Sequence, residues 1–255
     1  MNVLSDWSGS PVQVIGMGMA TGSFSHAAWT VLERAELIIG AAQHLAVFPE
    51  LTAKRHPYPS PMTGLWELLR VNANRRIVLL ASGDPLFYGI SQTLLRHLPP
   101  EHLVFHPNVS SIQTAFARLG RPWNHAHMVS LHGQPLASLR AVLQGNRLYA
   151  LLTDRDSSPP AIARILVETG FAESDLWVAE DLGAPTERFR SFRAVELATV
   201  DVEFSVLNVI ILETRGAGGV LPEYHGIADD KCSTGAEPGK GLLSKREVRL
   251  TILSL

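Results

Sequence analysis

The sequence predicts an α/β fold of two domains, and three observations support this. Short apolar runs rich in β-branched residues alternate with segments of helical periodicity, which favours largely parallel sheets covered by helices on both faces. Glycine, proline, aspartate or asparagine follows these runs, as is usual where strands end. Beyond Leu176 the pattern changes, and two later runs indicate antiparallel strands that close a second sheet.

The predicted elements follow in chain order. Buried strands are predicted at residues 12–17, 76–81, 102–105 and 147–153. Helices are predicted at residues 25–36, 88–97, 111–119 and 159–169, where apolar side chains recur with helical spacing. The two antiparallel strands are predicted at residues 187–200 and 205–212.

Changes in composition predict the domain boundaries. Gly-Arg-Pro-Trp-Asn at 120–124 predicts a break between a domain over residues 10–122 and a second domain over residues 123–213. Six glycines and two prolines between Gly216 and Gly239, without an apolar period, predict a linker over residues 214–241. Helical periodicity resumes over residues 242–255, which we expect to be the start of a truncated following module.

Composition restricts the class of protein. Hydrophobic residues make up 46% and charged residues 18%, which is typical of a globular enzyme. The net charge of −2 favours neither nucleic acid nor an anionic membrane as the partner. No stretch reaches the roughly 20 apolar residues that a membrane span needs, and the N-terminus lacks the features of a secretion signal. With a single cysteine, Cys232, we expect a soluble cytoplasmic protein.

A glycine-rich turn, Val-Ile-Gly-Met-Gly-Met-Ala-Thr-Gly at 14–22, follows the first predicted strand. Glycine allows the backbone to approach a ligand closely. Three residues separate Gly18 from Gly22, whereas the dinucleotide fingerprint has two, so a nicotinamide or flavin cofactor is disfavoured. The motif alone fits a ligand loop and a tight strand-to-helix turn equally well.

Two further strand-to-helix junctions carry small or polar residues. Ser-Gly-Asp-Pro at 82–85 ends a buried strand, where Asp84 either binds an ammonium or hydroxyl group or caps the next helix. Pro-Asn-Val-Ser-Ser at 107–111 precedes a helix, where Ser110 and Ser111 either cap that helix or bind a ligand. Because parallel strands bring such loops to one edge of a sheet, the three junctions together predict a ligand site.

In their order and spacing, these three motifs resemble those of the tetrapyrrole methylase family. Further matching segments are Ala-Glu-Leu-Ile-Ile-Gly at 35–40 with His44, Ser-Leu-His-Gly at 130–133, Leu-Thr-Asp at 152–154 and Glu-Asp-Leu-Gly at 180–183. The resemblance implies two α/β/α domains, usually in a homodimer, with S-adenosylmethionine bound in the cleft between the domains. It also implies that residues 242–255 open a decarboxylating methyltransferase module of the same enzyme.

The resemblance further implies a C-methyltransferase of cobalamin (corrin) biosynthesis that methylates precorrin-6Y at ring carbon 5. Gly83 and Asp84 would hold the methionine portion of the cofactor. The other cofactor contacts carried over by position are Gly18, Met19, Phe87, Ser110, Ser111 and Leu152. The substrate carries many carboxylates, so Tyr88, Arg188 and Arg190 are candidate substrate ligands, although the arginines also fit a solvated edge strand.

Methyl transfer from a sulfonium to carbon mainly needs aligned reactants in a dry cleft, so no nucleophilic triad is expected. A base is expected to remove a proton after methylation, and the candidates are His132 and Asp154. His132 fits a loop histidine without a role equally well, and Asp154 also fits a turn former. A metal site is not expected, because no cysteine or carboxylate sits at ligand spacing beside His125, His127 and His132.

Two other functions remain open at this point. The first is a methylase of the same fold that acts on another tetrapyrrole, on ribosomal RNA or on a protein. An RNA enzyme needs a basic surface, which the net charge does not suggest. A non-catalytic interaction module is the second, and it needs no ligand loops. Binding of S-adenosylmethionine separates the enzymes from the interaction module.

Overall fold

The computed structural model of the protein describes residue 4, residues 7–19 and residues 23–219. The chain divides into two compact units: an N-terminal unit of Met1–Thr114 with Gly183–Pro185, and a C-terminal unit of Ala115–Leu182 with Thr186–Leu255. Each unit contains one five-stranded sheet, and the predicted α/β fold class is confirmed.

The division between the units lies inside a helix, α5 (Ser111–Leu119), and not at residues 120–124 as predicted. Gly120 follows α5 with a φ of +67°. The backbone N–H of Arg121 then donates to the carbonyl of Phe116 at 3.2 Å. This bond and the left-handed glycine form a helix C-cap. The glycine and proline signal in the sequence therefore marks the end of a helix.

The N-terminal unit is built on a parallel sheet. Its strands are β1 (Val12–Gly16), β2 (Leu37–Gly40), β3 (Lys54–Pro57), β4 (Ile77–Ala81) and β5 (Leu103–His106). They lie in the order β3-β2-β4-β1-β5, and every pairing is parallel. The helices that precede α5 are α1 (His26–Glu33), α2 (Ala42–Leu45), α3 (Gly64–Val71) and α4 (Ser91–Leu95).

Helices cover both faces of this sheet because the central strands are apolar on both faces. In β4, Leu79 packs in one cluster with Leu65 of α3 and Leu94 of α4. Its neighbour Leu80 points to the opposite face and packs in a second cluster with Leu32 of α1. All five residues of β4 are buried, as expected for the central strand of a parallel sheet. The N-terminal unit is thus a three-layer α/β/α structure.

The C-terminal unit contains a mixed sheet. Its elements are β6 (His127–Ser130), α6 (Leu139–Val142), β7 (Leu148–Leu152), α7 (Pro159–Glu168), β8 (Asp175–Glu180), β9 (Arg188–Arg193), α8 (Ala194–Leu197) and β10 (Asn208–Glu213). The strand order is β6-β7-β10-β8-β9, in which only the β6–β7 pairing is parallel. Apolar side chains of β7, β8 and β10 pack against α7 and α8. The predicted antiparallel closure of the second sheet is confirmed.

Two predicted elements were wrong in extent. Residues 187–200 were predicted as one strand but form β9 followed by α8, where the Glu196 carboxylate accepts from the backbone N–H of Arg193 and starts the helix. Residues 88–97 were predicted as one helix, but α4 begins only at Ser91. Tyr88 has a φ of +51°, which an α-helix does not allow.

The described start of the predicted linker packs against the C-terminal unit. Thr214 is buried, and its hydroxyl donates to the carbonyl of Gln144 at 2.6 Å. The N–H of Gly219 donates to the carbonyl of the residue that caps α7, at 2.9 Å. Residues 214–219 are therefore held on this unit, while the rest of the predicted linker and the following module, residues 220–255, lie outside the described residues. In the described part of the chain, no helix is long and apolar enough to cross a membrane.

Candidate cofactor site

Three loops meet at the carboxyl edge of the N-terminal sheet, because β4, β1 and β5 are neighbours. The N–H of Met17 donates to the carbonyl of Ala81 at 2.8 Å, and the N–H of Gly18 donates to that of Gly83 at 3.1 Å. The predicted cofactor contacts in this unit follow these three strands: Gly18 and Met19 after β1, Gly83, Asp84 and Phe87 after β4, and Ser110 and Ser111 after β5.

The edge where β1 and β4 end is a topological switch point. The chain leaves β1 for α1, which packs on one face of the sheet, and leaves β4 for α4, which packs on the other. Two adjacent parallel strands whose connections depart to opposite faces leave a crevice at their carboxyl ends, and open α/β sheets bind ligands there. The sequence motifs and the topology therefore indicate the same position.

Glycine is required at three points of this edge for different reasons. A Cβ atom on Gly16 would lie 2.5 Å from the carbonyl oxygen of Gly83, so only glycine lets the two loops touch. Gly18 has a φ of +63°, and a Cβ there would lie 2.7 Å from the Oδ1 atom of Asn108. Gly83 has a φ of +57°, but its Cβ position is open, with only the Cα atom of Ser110 near it, at 3.7 Å. Gly83 thus leaves bare backbone facing free space.

Asp84 joins two of the loops and does not cap α4. Its Oδ1 atom accepts from the N–H of Leu86 at 2.8 Å, and its Oδ2 atom accepts from the N–H of Asn108 at 3.2 Å. The helix begins later, at Ser91, so the alternative of an aspartate helix cap is wrong. The carboxylate is half-buried, and each oxygen has a lone pair left to accept a further hydrogen bond.

Ser110 is a helix cap. Its Oγ atom accepts from the N–H of Gln113 at 3.3 Å, while its own N–H donates to the Oε1 atom of Gln113 at 2.8 Å. This reciprocal pair is a capping box at the start of α5. Ser110 is buried and Ser111 is half-buried. The sequence left helix capping and ligand binding open for these two serines, and the structure shows that Ser110 caps the helix.

Phe87 and Tyr88 lie on the loop between β4 and α4. Their rings meet edge to face, with centroids 4.9 Å apart. Phe87 is half-buried, whereas Tyr88 is 49% exposed. The backbone of Tyr88 has a positive φ, +51°. An exposed aromatic ring beside a ligand crevice suits contact with a flat apolar ligand.

Two residues at this edge had no role in the sequence prediction. Asn108 contacts the loops after β1 and β4, although it had been noted only as part of the third motif. His44 follows β2, and its Nε2 atom lies 3.5 Å from the Oγ atom of Ser82. The Nδ1 atom of His44 is buried without a partner among the described residues, and burial lowers the pKa of the imidazole below its usual value of 6.5. Both residues follow strands of the same sheet in the sequence, and this was the signal that could have identified them as site residues.

The remaining predicted contacts and both predicted bases lie at the ends of β6 and β7 in the C-terminal unit. His132 is exposed and Leu152 is half-buried. Asp154 accepts hydrogen bonds from the N–H of Gly133 at 2.8 Å and from the hydroxyl of Ser157 at 2.7 Å, as well as from two further backbone N–H groups. The Ser157 hydroxyl and these N–H groups hold the pKa of Asp154 well below its usual range. This geometry suits a residue that orders two loops better than it suits a base.

We predict a pH-dependent loss of stability in Asp154→Asn. A carboxyl group whose pKa is lower in the folded than in the unfolded state stabilises the fold above its unfolded pKa, about 3.9, and this stabilisation is lost as the pH falls. The variant should therefore unfold at a lower temperature than the parent at pH 7, and the gap should shrink below about pH 4. Thermal unfolding across this pH range measures both. Asp156→Asn, at an exposed neighbouring carboxylate, is the control, and a gap that is independent of pH would contradict the prediction.

The two predicted substrate arginines are engaged by one buried carboxylate. Glu180 at the end of β8 is fully buried, and its Oε1 atom accepts from Arg188 at 3.1 Å. Its Oε2 atom accepts from the Nε atom of Arg190 at 2.9 Å. The Arg190 guanidinium also lies over the ring of Phe204, 4.2 Å from its centroid. Arg190 is thus committed to the fold, whereas the side chain of Arg188 is 54% exposed and keeps donors toward solvent.

The fold and this edge define a class of protein. Residues 11–198 match the Tetrapyrrole (Corrin/Porphyrin) Methylases, and the chain belongs to this family. Two of its relatives are named as methyltransferases of corrin precursors. The chain is 31% identical over 256 residues to the precorrin-6Y C(5,15)-methyltransferase (decarboxylating) of a Sinorhizobium species, which covers 99% of this chain and 59% of that protein. It is 30% identical over 203 residues to the cobalt-precorrin-7 C(5)-methyltransferase of Salmonella typhimurium, which covers 79% of this chain and 98% of that protein.

The solved structures show the same fold. Uroporphyrin-III C-methyltransferase from Thermus thermophilus, solved in complex with S-adenyl homocysteine, matches with a TM-score of 0.62 at 22% identity. The match covers 80% of this chain and 97% of that structure.

The two curated relatives differ in length. The chain spans less than two thirds of the Sinorhizobium relative but nearly the whole length of the Salmonella relative.

Proposed function

We propose that the chain is an S-adenosylmethionine-dependent C-methyltransferase of cobalamin biosynthesis that acts at ring carbon 5 of precorrin-6Y or a closely related corrin precursor. The observation that carries the proposal is the meeting of the three motif loops at the switch point of the N-terminal sheet. The relatives named above support the substrate class, since both of their names describe methylation of a corrin precursor at carbon 5.

The residues at this edge fit the cofactor. The open Cβ position at Gly83 leaves room beside bare backbone, and the free lone pairs of Asp84 suit the ammonium of an amino acid. We propose that Gly83 and Asp84 hold the methionine end of the cofactor, with Gly18, Met19, Phe87, Ser111 and Leu152 as further contacts. When bound, S-adenosylmethionine supplies a methyl group that is already activated on a sulfonium. The chain then has to orient the reactants and exclude water.

Replacing hydrogen by methyl on a ring carbon releases one proton, so the reaction needs a proton acceptor. His132 remains our proposal for the C-terminal unit, because the hydrogen bonds of Asp154 make that carboxylate a poor base. His44 is a second candidate, because its lowered pKa keeps the imidazole neutral near pH 7 and its Nε2 atom faces the Ser82 loop. Tyr88 and the exposed part of Arg188 are the proposed contacts for the apolar face and the carboxylates of the substrate.

We propose that this chain adds one methyl group and releases no carbon dioxide. The Salmonella relative, whose length the chain covers almost completely, is named for carbon 5 alone. The Sinorhizobium relative carries both carbon 5 and carbon 15 in its name and extends well beyond this chain. The decarboxylating methyltransferase module is therefore the proposed partner for carbon 15. The homodimer and the cytoplasmic location expected from the sequence stay predictions, and light scattering tests the first.

Calorimetry and mass spectrometry test the proposal. S-adenosylhomocysteine should bind the parent chain, and Asp84→Ala should bind it clearly more weakly because the carboxylate and the loop contact are both lost. With S-adenosylmethionine and the corrin precursor, the product should gain the mass of one methyl group, and NMR of labelled product should place it at carbon 5. An unchanged dissociation constant in Asp84→Ala would refute the cofactor assignment, and loss of carbon dioxide would refute the division of the two activities.

A further inference from the structure

The side chain of Asn108 holds both ends of the glycine-rich loop. Its Nδ2 atom donates to the carbonyl of Gly16 at 2.9 Å, at the point where the chain enters the loop. The same atom donates to the carbonyl of Ser23 at 2.7 Å, where the chain leaves it. Its Oδ1 atom accepts from the N–H of Val109 at 2.8 Å. Both amide hydrogens and the amide oxygen therefore have partners.

These contacts fix the orientation of the Asn108 amide. If the amide were flipped, its oxygen would face the carbonyl oxygens of Gly16 and Ser23 and neither contact would be a hydrogen bond. Aspartate has nearly the same shape as asparagine but would place a carboxylate against the same two carbonyls. The site therefore requires a side chain with two donors at this length, and asparagine is the residue that supplies them.

Asn108 also connects the glycine-rich loop to the other two junctions. Its backbone N–H donates to the Oδ2 atom of Asp84 at 3.2 Å, and Asp84 follows β4. Asn108 itself follows β5 and lies two residues before Ser110, the cap of α5. Its Oδ1 atom also lies beside Gly18, close enough to exclude a Cβ there. One residue thus ties together the loops after β1, β4 and β5.

We propose that Asn108 is a positioning residue that holds Gly16 to Met19, at the start of the glycine-rich loop, and Ser23 after it in the arrangement that binds the cofactor. This inference rests on the proposed function, because it assigns the cofactor to this edge. Asn108 acts through the loop. Its side chain has no free donor for a ligand, since both amide hydrogens are bound to loop carbonyls.

Asn108→Asp and Asn108→Ser test the proposal in the full chain, with Asn72→Ala as the matched control. Asn72 lies in the same unit and also donates its amide to a main-chain carbonyl, that of Leu68 at 2.9 Å, but at the end of α3. S-adenosylhomocysteine should bind Asn108→Asp at least about 10-fold more weakly than the parent, which corresponds to about 1.4 kcal/mol. The affinity of Asn108→Ser, which keeps one donor, should lie between the affinities of Asn108→Asp and the parent. The control should bind like the parent.

Two further measurements separate positioning from a general loss of structure. In methyl transfer, Asn108→Asp should raise the KM for S-adenosylmethionine while the KM for the corrin precursor stays near that of the parent. Hydrogen exchange of the Met17 and Gly18 amides, which donate to the loop after β4, should be faster in Asn108→Asp and unchanged in Asn72→Ala.

The outcomes distinguish this inference from the proposed function. If the parent binds S-adenosylhomocysteine and Asn108→Asp binds it equally well, Asn108 does not position the loop. If the parent does not bind it, the proposed function fails, and the exchange of the Met17 and Gly18 amides then decides the inference. Unchanged exchange would overturn the role of Asn108 in holding the loop, and faster exchange would support it. If Asn108→Asp does not fold, the same comparison is made with Asn108→Ser.

Discussion

Glu180→Ala is expected to lower the free energy of unfolding of the C-terminal unit by about 3 kcal/mol, the lower end of the range for breaking a buried ion pair. Glu180 is fully buried and accepts from Arg188, Arg190 and the backbone N–H of Ser205. Its removal leaves the partly buried guanidinium of Arg190 without its charge partner. We choose the lower end because the side chains of Arg188 and Arg190 are 54% and 25% exposed, so water partly solvates them once the carboxylate is gone.

Glu168→Ala is the matched control for this measurement. Glu168 pairs with Arg140 in the same unit, but both side chains are partly exposed. An exposed pair contributes about 0–1 kcal/mol, so this variant should unfold close to the parent. Urea denaturation followed by circular dichroism measures both variants. A loss of less than about 1 kcal/mol in Glu180→Ala would mean that the buried cluster does not hold this end of the sheet.

The fold class and the meeting of the three motif loops at one sheet edge could be predicted because both depend on local patterns at the same positions. The strand β4 is apolar along its whole length, and Ser-Gly-Asp-Pro follows it directly, so the pattern locates the strand and the loop at its carboxyl end together. The helix α5 was predicted with its observed bounds, because a capping box at Ser110 and Gln113 marks its start and Gly120 its end.

Elements whose stability comes from tertiary contacts could not be predicted from pattern. The edge strand β3 is Lys-Arg-His-Pro, mostly exposed, and pairs with β2 by backbone hydrogen bonds that need no apolar side chains. The start of α8 depends on the contact between Glu196 and the backbone of Arg193, within a run that reads as a strand. Intrinsic preference is a weak guide in such cases, because the surrounding structure overrides it.

The roles within the site depended on partners that the sequence does not show. Asp84 was open between a ligand contact and a helix cap, but α4 begins only at Ser91 and the carboxylate accepts from Asn108 across the sheet edge. Arg190 was chosen as a donor for substrate carboxylates, but Glu180 on the adjacent strand engages it. Asn108 lies in the loop after β5 and Glu180 on β8, at sequence separations of 24 and 10 residues that no local motif encodes.

Gly16→Ala is expected to weaken the binding of S-adenosylhomocysteine by about 100-fold, the upper part of the range that about 1–3 kcal/mol of overpacking implies. Gly16 is the last residue of β1, at the centre of the carboxyl edge. An added Cβ would lie 2.5 Å from the carbonyl oxygen of Gly83, 2.9 Å from the Cδ atom of Pro85 and 3.0 Å from the Cβ atom of Asn108. The loops after β4 and β5 would have to move away from the loop after β1.

Gly64→Ala is the control, because Gly64 is the first residue of α3 and an added Cβ would only approach the Cβ atom of Pro59, at 3.2 Å. Alanine is also the better helix former, by up to about 1 kcal/mol, so this variant should fold and bind like the parent. Calorimetry gives the two dissociation constants, and circular dichroism checks that Gly16→Ala keeps its secondary structure. Since β1 is hydrogen-bonded to β4 and β5 on both sides, we expect the strain to fall on the loops before it falls on the sheet. A folded Gly16→Ala chain that binds S-adenosylhomocysteine within about twofold of the parent would show that the contact between the β1 and β4 loops does not shape the cofactor site.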